Sequence, residues 1–262
     1  MVKEIFKYLP EYQIIYFGDT ARLPYGTKGA GFVKRYSEKI TQWLLDRGAK
    51  VIVVACHTSS AWAADFLKEK FSAKGGSASG GKNVPIFDMI SGTAGGVSKI
   101  TKNKKVGVIG TPGTIKSNAY KTKLLESDPE LKIYTQACPL LVPLAEEGWV
   151  DGKITEEIIK KYLAPLKKEK IDTLVLACTH YPLLEEIIQK VMGRNVKIFN
   201  PASALAKQLK LFLEKNPKIE REIKKGIGHQ FFFSDEPYNF EKISHLCFNK
   251  KIKPIIKDPF LS

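Results

Sequence analysis

Two cysteines sit in closely similar surroundings. Residues 51–61 read VIVVACHTSSA, and residues 173–184 read TLVLACTHYPLL. Each stretch is an apolar, partly β-branched run, then Ala-Cys, then a Thr and a His, then a segment that reads as helix. A lone cysteine at a strand end is a small buried hydrophobe. A matched pair suggests more. The carboxyl end of a strand meeting a helix amino end is where open α/β sheets bind ligands, and the helix dipole there favours a thiolate. Thiols facing one carbon from opposite sides could take a proton from one face and deliver one to the other. That chemistry uses one thiolate and one thiol at a time and needs neither a redox change nor a metal. Each thiol needs a lowered pKa and an acid–base neighbour. His180 follows Cys178 by two residues and is placed to serve it. Thr58 and Thr179 are placed to hold a carboxylate or ammonium group of a substrate.

The rest of the chain has to bring the two cysteines together. Residues 51–55 read as a buried parallel strand, with Ser59 and Ser60 capping a helix that starts at Ala61. Strands are predicted at 12–17, 84–87, 105–110, 131–137, 196–200, 229–234 and 252–256, besides the two cysteine strands. Helices are predicted at 2–9, 30–47, 91–101, 115–125, 141–147, 154–168, 203–215 and 238–248, besides those after the cysteine strands. Strands that alternate with helices along the chain imply parallel sheets with right-handed crossovers. The repeated cysteine unit implies an α/β fold of two similar, doubly wound domains related by a pseudo-twofold axis, with the site at their interface. Residues 1–89 plus 200–262 form the domain carrying Cys56, and residues 90–199 the domain carrying Cys178. The loop 21–29, ARLPYGTKG, is rich in turn formers and is expected to expose Arg22 and Tyr25. Thr111-Pro112-Gly113-Thr114 offers backbone N–H groups and hydroxyls at a helix start, an anion site without a nucleotide-binding fingerprint. Residues 73–83, AKGGSASGGKN, read as a surface loop.

Bulk properties exclude several classes. A chain of 262 residues with 44% hydrophobic and 26% charged content can bury a globular core. No apolar run reaches the roughly 18 residues that span a bilayer, and the amino terminus has charges where a signal peptide needs an apolar core, so a cytoplasmic location is expected. Four cysteines, none in CxxC spacing, make neither a disulfide framework nor a structural zinc site. Cys138 and Cys247 read as packing residues. The net charge of +15 is spread along helices and chain ends, which reads as a solvated surface rather than a nucleic-acid face.

Five blocks carry a resemblance. GDTARLPYGTK at 18–28, VVACHTSSA at 53–61, VGVIGTPGTIKSNAY at 106–120, ACPLLVPLAEEG at 137–148 and LACTHYPLL at 176–184 resemble, in order and spacing, the cofactor-independent aspartate/glutamate racemase family, its glutamate-specific members in particular. The resemblance implies interconversion of L- and D-glutamate, supplying D-glutamate for peptidoglycan, without pyridoxal phosphate or any other cofactor. It implies an amino-acid substrate, no nucleic-acid or membrane partner, and leaves a homodimer open. By the same resemblance Cys56 and Cys178 are the two catalytic acid–bases, and His180 and Glu146 assist the thiols. Tyr25, Gly26, Thr58, Thr179 and His180 contact substrate, as does His57, which stands where most members have Asn. Members normally begin with a strand leading to an Asp-Ser-Gly loop whose Asp assists the first cysteine. This sequence starts after that point, so that strand is expected to be missing from the first sheet. Two other functions stay open at this stage: racemisation of aspartate or another small amino acid, and a racemase-like binding protein that has lost catalysis.

Overall fold

The computed structural model describes residues 1–71, 84–236, 240 and 252–260. In chain order its strands are β1 (Ile15–Gly18), β2 (Ile52–Val54), β3 (Ile86–Asp88), β4 (Lys105–Gly110), β5 (Lys132–Ala137), β6 (Thr173–Ala177), β7 (Lys197–Phe199), β8 (Gln230–Phe233) and β9 (Ile255–Ile256). The α-helices are α1 (Val2–Tyr8), α2 (Ala30–Asp46), α3 (His57–Lys70), α4 (Ala94–Ile100), α5 (Pro112–Lys116), α6 (Ala119–Ser127), α7 (Leu141–Glu146), α8 (Gly152–Lys168), α9 (Glu185–Met192), α10 (Pro201–Lys215) and α11 (Pro217–Glu222).

Every strand pairing within these sheets is parallel. Cys178 follows the third strand of a four-stranded sheet in the order β5-β4-β6-β7. The sheet's two central strands are covered on both faces, and the period of two in strand side chains divides them cleanly. Val106, Val108, Val175 and Ala177 point into the core shared with α4 and α6. Ile109, Leu174 and Leu176 point into the opposite core, filled from α7, α8 and α9. That is why β6 is a continuous apolar run, TLVLA, buried at every position. The register sets Gly110 beside Ala177, so Thr111 and Cys178 leave the sheet side by side. The remaining strands form two separate sheets, a three-stranded one in the order β1-β8-β9 and a two-stranded one of β2 and β3. Residues of both β1 and β2 line one cavity.

Several expectations shift in position. The helix after Cys56 begins at His57, not Ala61. Cys56 is its extended N-cap, and the Ser60 backbone N–H already donates to the Cys56 carbonyl at 2.8 Å. The serines therefore do not cap. Ser60 Oγ donates to the Val54 carbonyl at 3.0 Å and accepts from the Met89 N–H at 3.1 Å, stitching α3 to β2 and β3. Arg22 and Tyr25 turn inward instead of outward. Arg22 bridges Asp19 and Asp258, 2.7 Å from each, under the rings of Tyr36 and Phe260. The helix expected at 115–125 is two helices, broken by Asn118 in the left-handed region at φ 57°, a conformation Asn tolerates. The strand expected at 12–17 is regular only over Ile15–Gly18, with Tyr12 in an isolated antiparallel bridge to Lys225, and α11 was not anticipated. The 73–83 loop, the 238–248 helix apart from residue 240, and Cys247 lie outside the described residues. Cys138 packs as expected, fully buried, and burial pushes its thiol pKa up. Among the described residues no helix is long and apolar enough to cross a membrane.

Candidate active site

The carboxyl ends of β2, β4 and β6 open on one cavity of about 1060 Å³. Cys56 and Cys178 both line it, and so do all the other residues singled out in the sequence: Tyr25, Gly26, His57, Thr58, Glu146, Thr179 and His180. The fold thus gathers nine positions spread from residue 25 to residue 180 around one space.

On the Cys178 side three groups stand in line. Cys178 Sγ lies 3.7 Å from His180 Nδ1, and His180 Nε2 lies 3.2 Å from Glu146 Oε1. The turn is held by Tyr181, fully buried, whose hydroxyl donates to the Cys138 carbonyl at 2.8 Å. Glu146 ends α7, so the carboxylate approaches from a different helix. Burial of His180 opposes its charged form, but the hydrogen bonds and charges of Cys178 and Glu146 outweigh it and hold its pKa well above 6.5. The arrangement can store a proton on imidazole beside a thiol. Thr179 is exposed on the wall next to it.

The Cys56 side is built differently. Cys56 is half-buried at the amino end of α3. His57 turns away from solvent, with its Nδ1 2.6 Å from the Tyr120 hydroxyl, and burial lowers its pKa to about 3, so it stays neutral. Tyr25 is buried, and its hydroxyl donates to Asp19 Oδ2 at 2.5 Å. Burial first, and Asp19 second, push the Tyr25 pKa up, which keeps the phenol protonated.

Between the sides, three buried hydroxyls close a triangle: Thr58 to Thr111 at 2.9 Å, Thr58 to Thr114 at 3.1 Å, and Thr111 to Thr114 at 3.0 Å. Thr58 belongs to α3, and Thr111 is the N-cap of α5. Gly26 lies so close that a Cβ there would come within 2.5 Å of Thr111 Cβ. Thr111 is pinned by the triangle and cannot retreat. Gly26→Ala should therefore prise the Tyr25 turn from Thr111, lowering stability by about 1–3 kcal/mol and raising KM. Thermal unfolding and initial-rate kinetics on the one variant check both.

Four residues of this cluster were not linked from the sequence to the racemase site. Asp19 precedes Tyr25 by six residues in GDTARLPYG, but which acceptor a tyrosine finds is a tertiary fact. Thr111 and Thr114 were read only as part of a generic anion site at a helix start, and their tie to Thr58, 53 and 56 residues earlier, is a tertiary fact. Tyr120 gave no signal beyond its membership of the 106–120 block.

The family model described as Asp/Glu/Hydantoin racemase matches residues 1–209. The chain belongs to that family of isomerases. Its relatives include the glutamate racemase of Geobacter metallireducens, 39% identical over 252 residues, covering 96% of this chain and 89% of the relative. A solved glutamate racemase from Francisella tularensis, in complex with D-glutamate, superposes with a TM-score of 0.85 at 32% identity, covering 98% of this chain and 91% of the other. A glutamate racemase from Bacillus anthracis does so with a TM-score of 0.86 at 33% identity, covering 98% and 92%.

Proposed function

We propose that this chain is a glutamate racemase that interconverts L- and D-glutamate by proton transfer at Cα between Cys56 and Cys178. The carrying observation is the pairing of the Cys178–His180–Glu146 line with Cys56 around one cavity. In one direction a Cys178 thiolate, supported by the His180 imidazolium, removes the Cα proton, and the Cys56 thiol then delivers one to the opposite face. In the other direction the roles exchange. Glu146 orients His180 and keeps it charged. Thr58 and Thr179, with the Tyr25-Gly26 turn, hold the substrate's ammonium and carboxylate groups by hydrogen bonds, and His57 borders the same space. No pyridoxal phosphate enters this reading: the two thiols move the protons, and stabilising the charge that develops at Cα falls to the hydrogen-bonding groups around the substrate. We divide the chain into one domain of residues 1–89 plus 200–262 and another of residues 90–199, one thiol on each, with the site between them. We place the enzyme in the cytoplasm, where its product would feed peptidoglycan synthesis.

The test is exchange. Purified protein incubated with L-glutamate in deuterium oxide should lose the Cα proton signal by NMR as D-glutamate accumulates by circular dichroism. L-Aspartate should exchange far more slowly. A folded protein that exchanges neither amino acid contradicts the reading, and preferential exchange of aspartate redirects it to a different substrate.

A further inference from the structure

The contact between His57 and Tyr120 has no part in the chemistry described so far. Their bond of 2.6 Å joins two buried side chains, 3% and 2% exposed. The rings stack, 23° from parallel with centroids 5.9 Å apart. His57 is the first residue of α3 and directly follows Cys56. Tyr120 stands in the first turn of α6, where the left-handed Asn118 has redirected the chain. It packs among Val106, Val108, Val175 and Ala177, the inward residues of β4 and β6, and β6 runs straight on to Cys178. One hydrogen bond therefore ties the neighbour of one thiol to the layer that carries the other.

We propose that His57 and Tyr120 form a clasp that sets the position of Cys56 relative to Cys178, making both positioning residues for proton transfer at the Cys56 face. This rests on the two-thiol racemase reading. A carbon deprotonated on one face and reprotonated on the other needs both sulfurs within reach at once, and a misplacement of about 1 Å in a reacting group costs roughly 10²-fold in rate. Cys56 is the less buried thiol and has no partner like the Cys178–His180 contact among the described residues. Its placement depends on the start of α3, and His57 anchors that start. The Nδ1 of His57 is already engaged by Tyr120, so the imidazole contributes through this bond rather than through a substrate contact at that nitrogen.

Tyr120→Phe deletes the hydroxyl and keeps the ring in its core. The expected result is a fall in kcat of about tenfold, the scale of one buried hydrogen bond, with KM changed less than about twofold. The decisive readout is the isotope effect with Cα-deuterated L- and D-glutamate. Slowing only the Cys56 step should raise the effect in the direction where Cys56 removes the proton and lower it in the reverse direction. His57→Asn should shift both effects the same way, and the double variant should be no worse than the more impaired single variant. A lowered Tm with both isotope effects unchanged, or Tyr120→Phe kinetics equal to wild type, overturns the clasp while leaving the racemase reading intact. A wild-type protein that shows no Cα exchange overturns both.

Discussion

Cys178→Ser should slow racemisation by at least about 10³-fold, a barrier increase of about 4 kcal/mol, and Cys56→Ser should do the same. A serine hydroxyl sits in the same place but is far too weak an acid to be the anion that takes a Cα proton near neutrality. The two losses should not add. The thiols act as a unit, each needed for every turnover, so the Cys56→Ser, Cys178→Ser double variant should be barely slower than either single one. The single variants should still differ in a telling way. With Cys56 replaced, the Cys178–His180–Glu146 line remains whole and can remove and return a proton on the face it meets. That variant should exchange the Cα proton of one glutamate enantiomer without inverting it, and Cys178→Ser should show the opposite preference. Stability should change little at Cys56, which is half-buried, and more at Cys178, which is 5% exposed and packed in the apolar core. Exchange by NMR, inversion by circular dichroism and thermal unfolding on the three proteins test all of this. Either single variant racemising within tenfold of wild type would sink the two-thiol mechanism.

The reactive geometry was legible in part because it is local. A strand that is buried on both faces must be continuously apolar, and its end is marked by the first polar residue, so Ala-Cys-Thr at 177–179 and the 105–110 strand could be located directly from the sequence. The spacing Cys178–His180 also survives intact, because a tight turn held by Tyr181 allows little else. What was lost depends on partners distant in the chain. Arg22 and Tyr25 sit in a turn-rich loop that reads as solvent-exposed, and they are drawn in by Asp19 and by Asp258, 236 residues away from Arg22. Ser59 and Ser60 have the right chemistry to cap a helix, but Ser60 is consumed by β2 and β3. The hydroxyl triangle needs Thr58 of α3 to meet Thr111 and Thr114, 53 and 56 residues further on, and no local pattern encodes that meeting. The boundary at Asn118 is a single left-handed residue inside an otherwise helical pattern, which periodicity does not detect.

His180→Asn should cost about 10²-fold in kcat, within the usual range for removing a positioned acid–base group, and Glu146→Gln about tenfold, because it acts only through the imidazole. Their pH profiles should separate the roles. His180 is partly buried, which disfavours its charge, yet Cys178 and Glu146 hold its pKa well above 6.5. In wild type the imidazolium therefore persists through neutrality, and the rate in the direction where Cys178 removes the proton should fall at alkaline pH as that proton is lost. Taking away the Glu146 charge removes one of the two groups that raise the pKa, so the alkaline limb in Glu146→Gln should move to lower pH. In His180→Asn it should vanish. The same shift has a stability consequence of defined sign. A group whose folded pKa exceeds its unfolded value contributes fully below the unfolded value and loses that contribution as pH rises through the folded one. The Tm advantage of wild type over His180→Asn should thus be largest at about pH 6 and narrow steadily above 6.5. An advantage that widens with pH, or an alkaline limb that stays in place when Glu146 is neutralised, would show that His180 is not held as an imidazolium between Cys178 and Glu146. The proton economy of the Cys178 half would then have to run through the thiol alone.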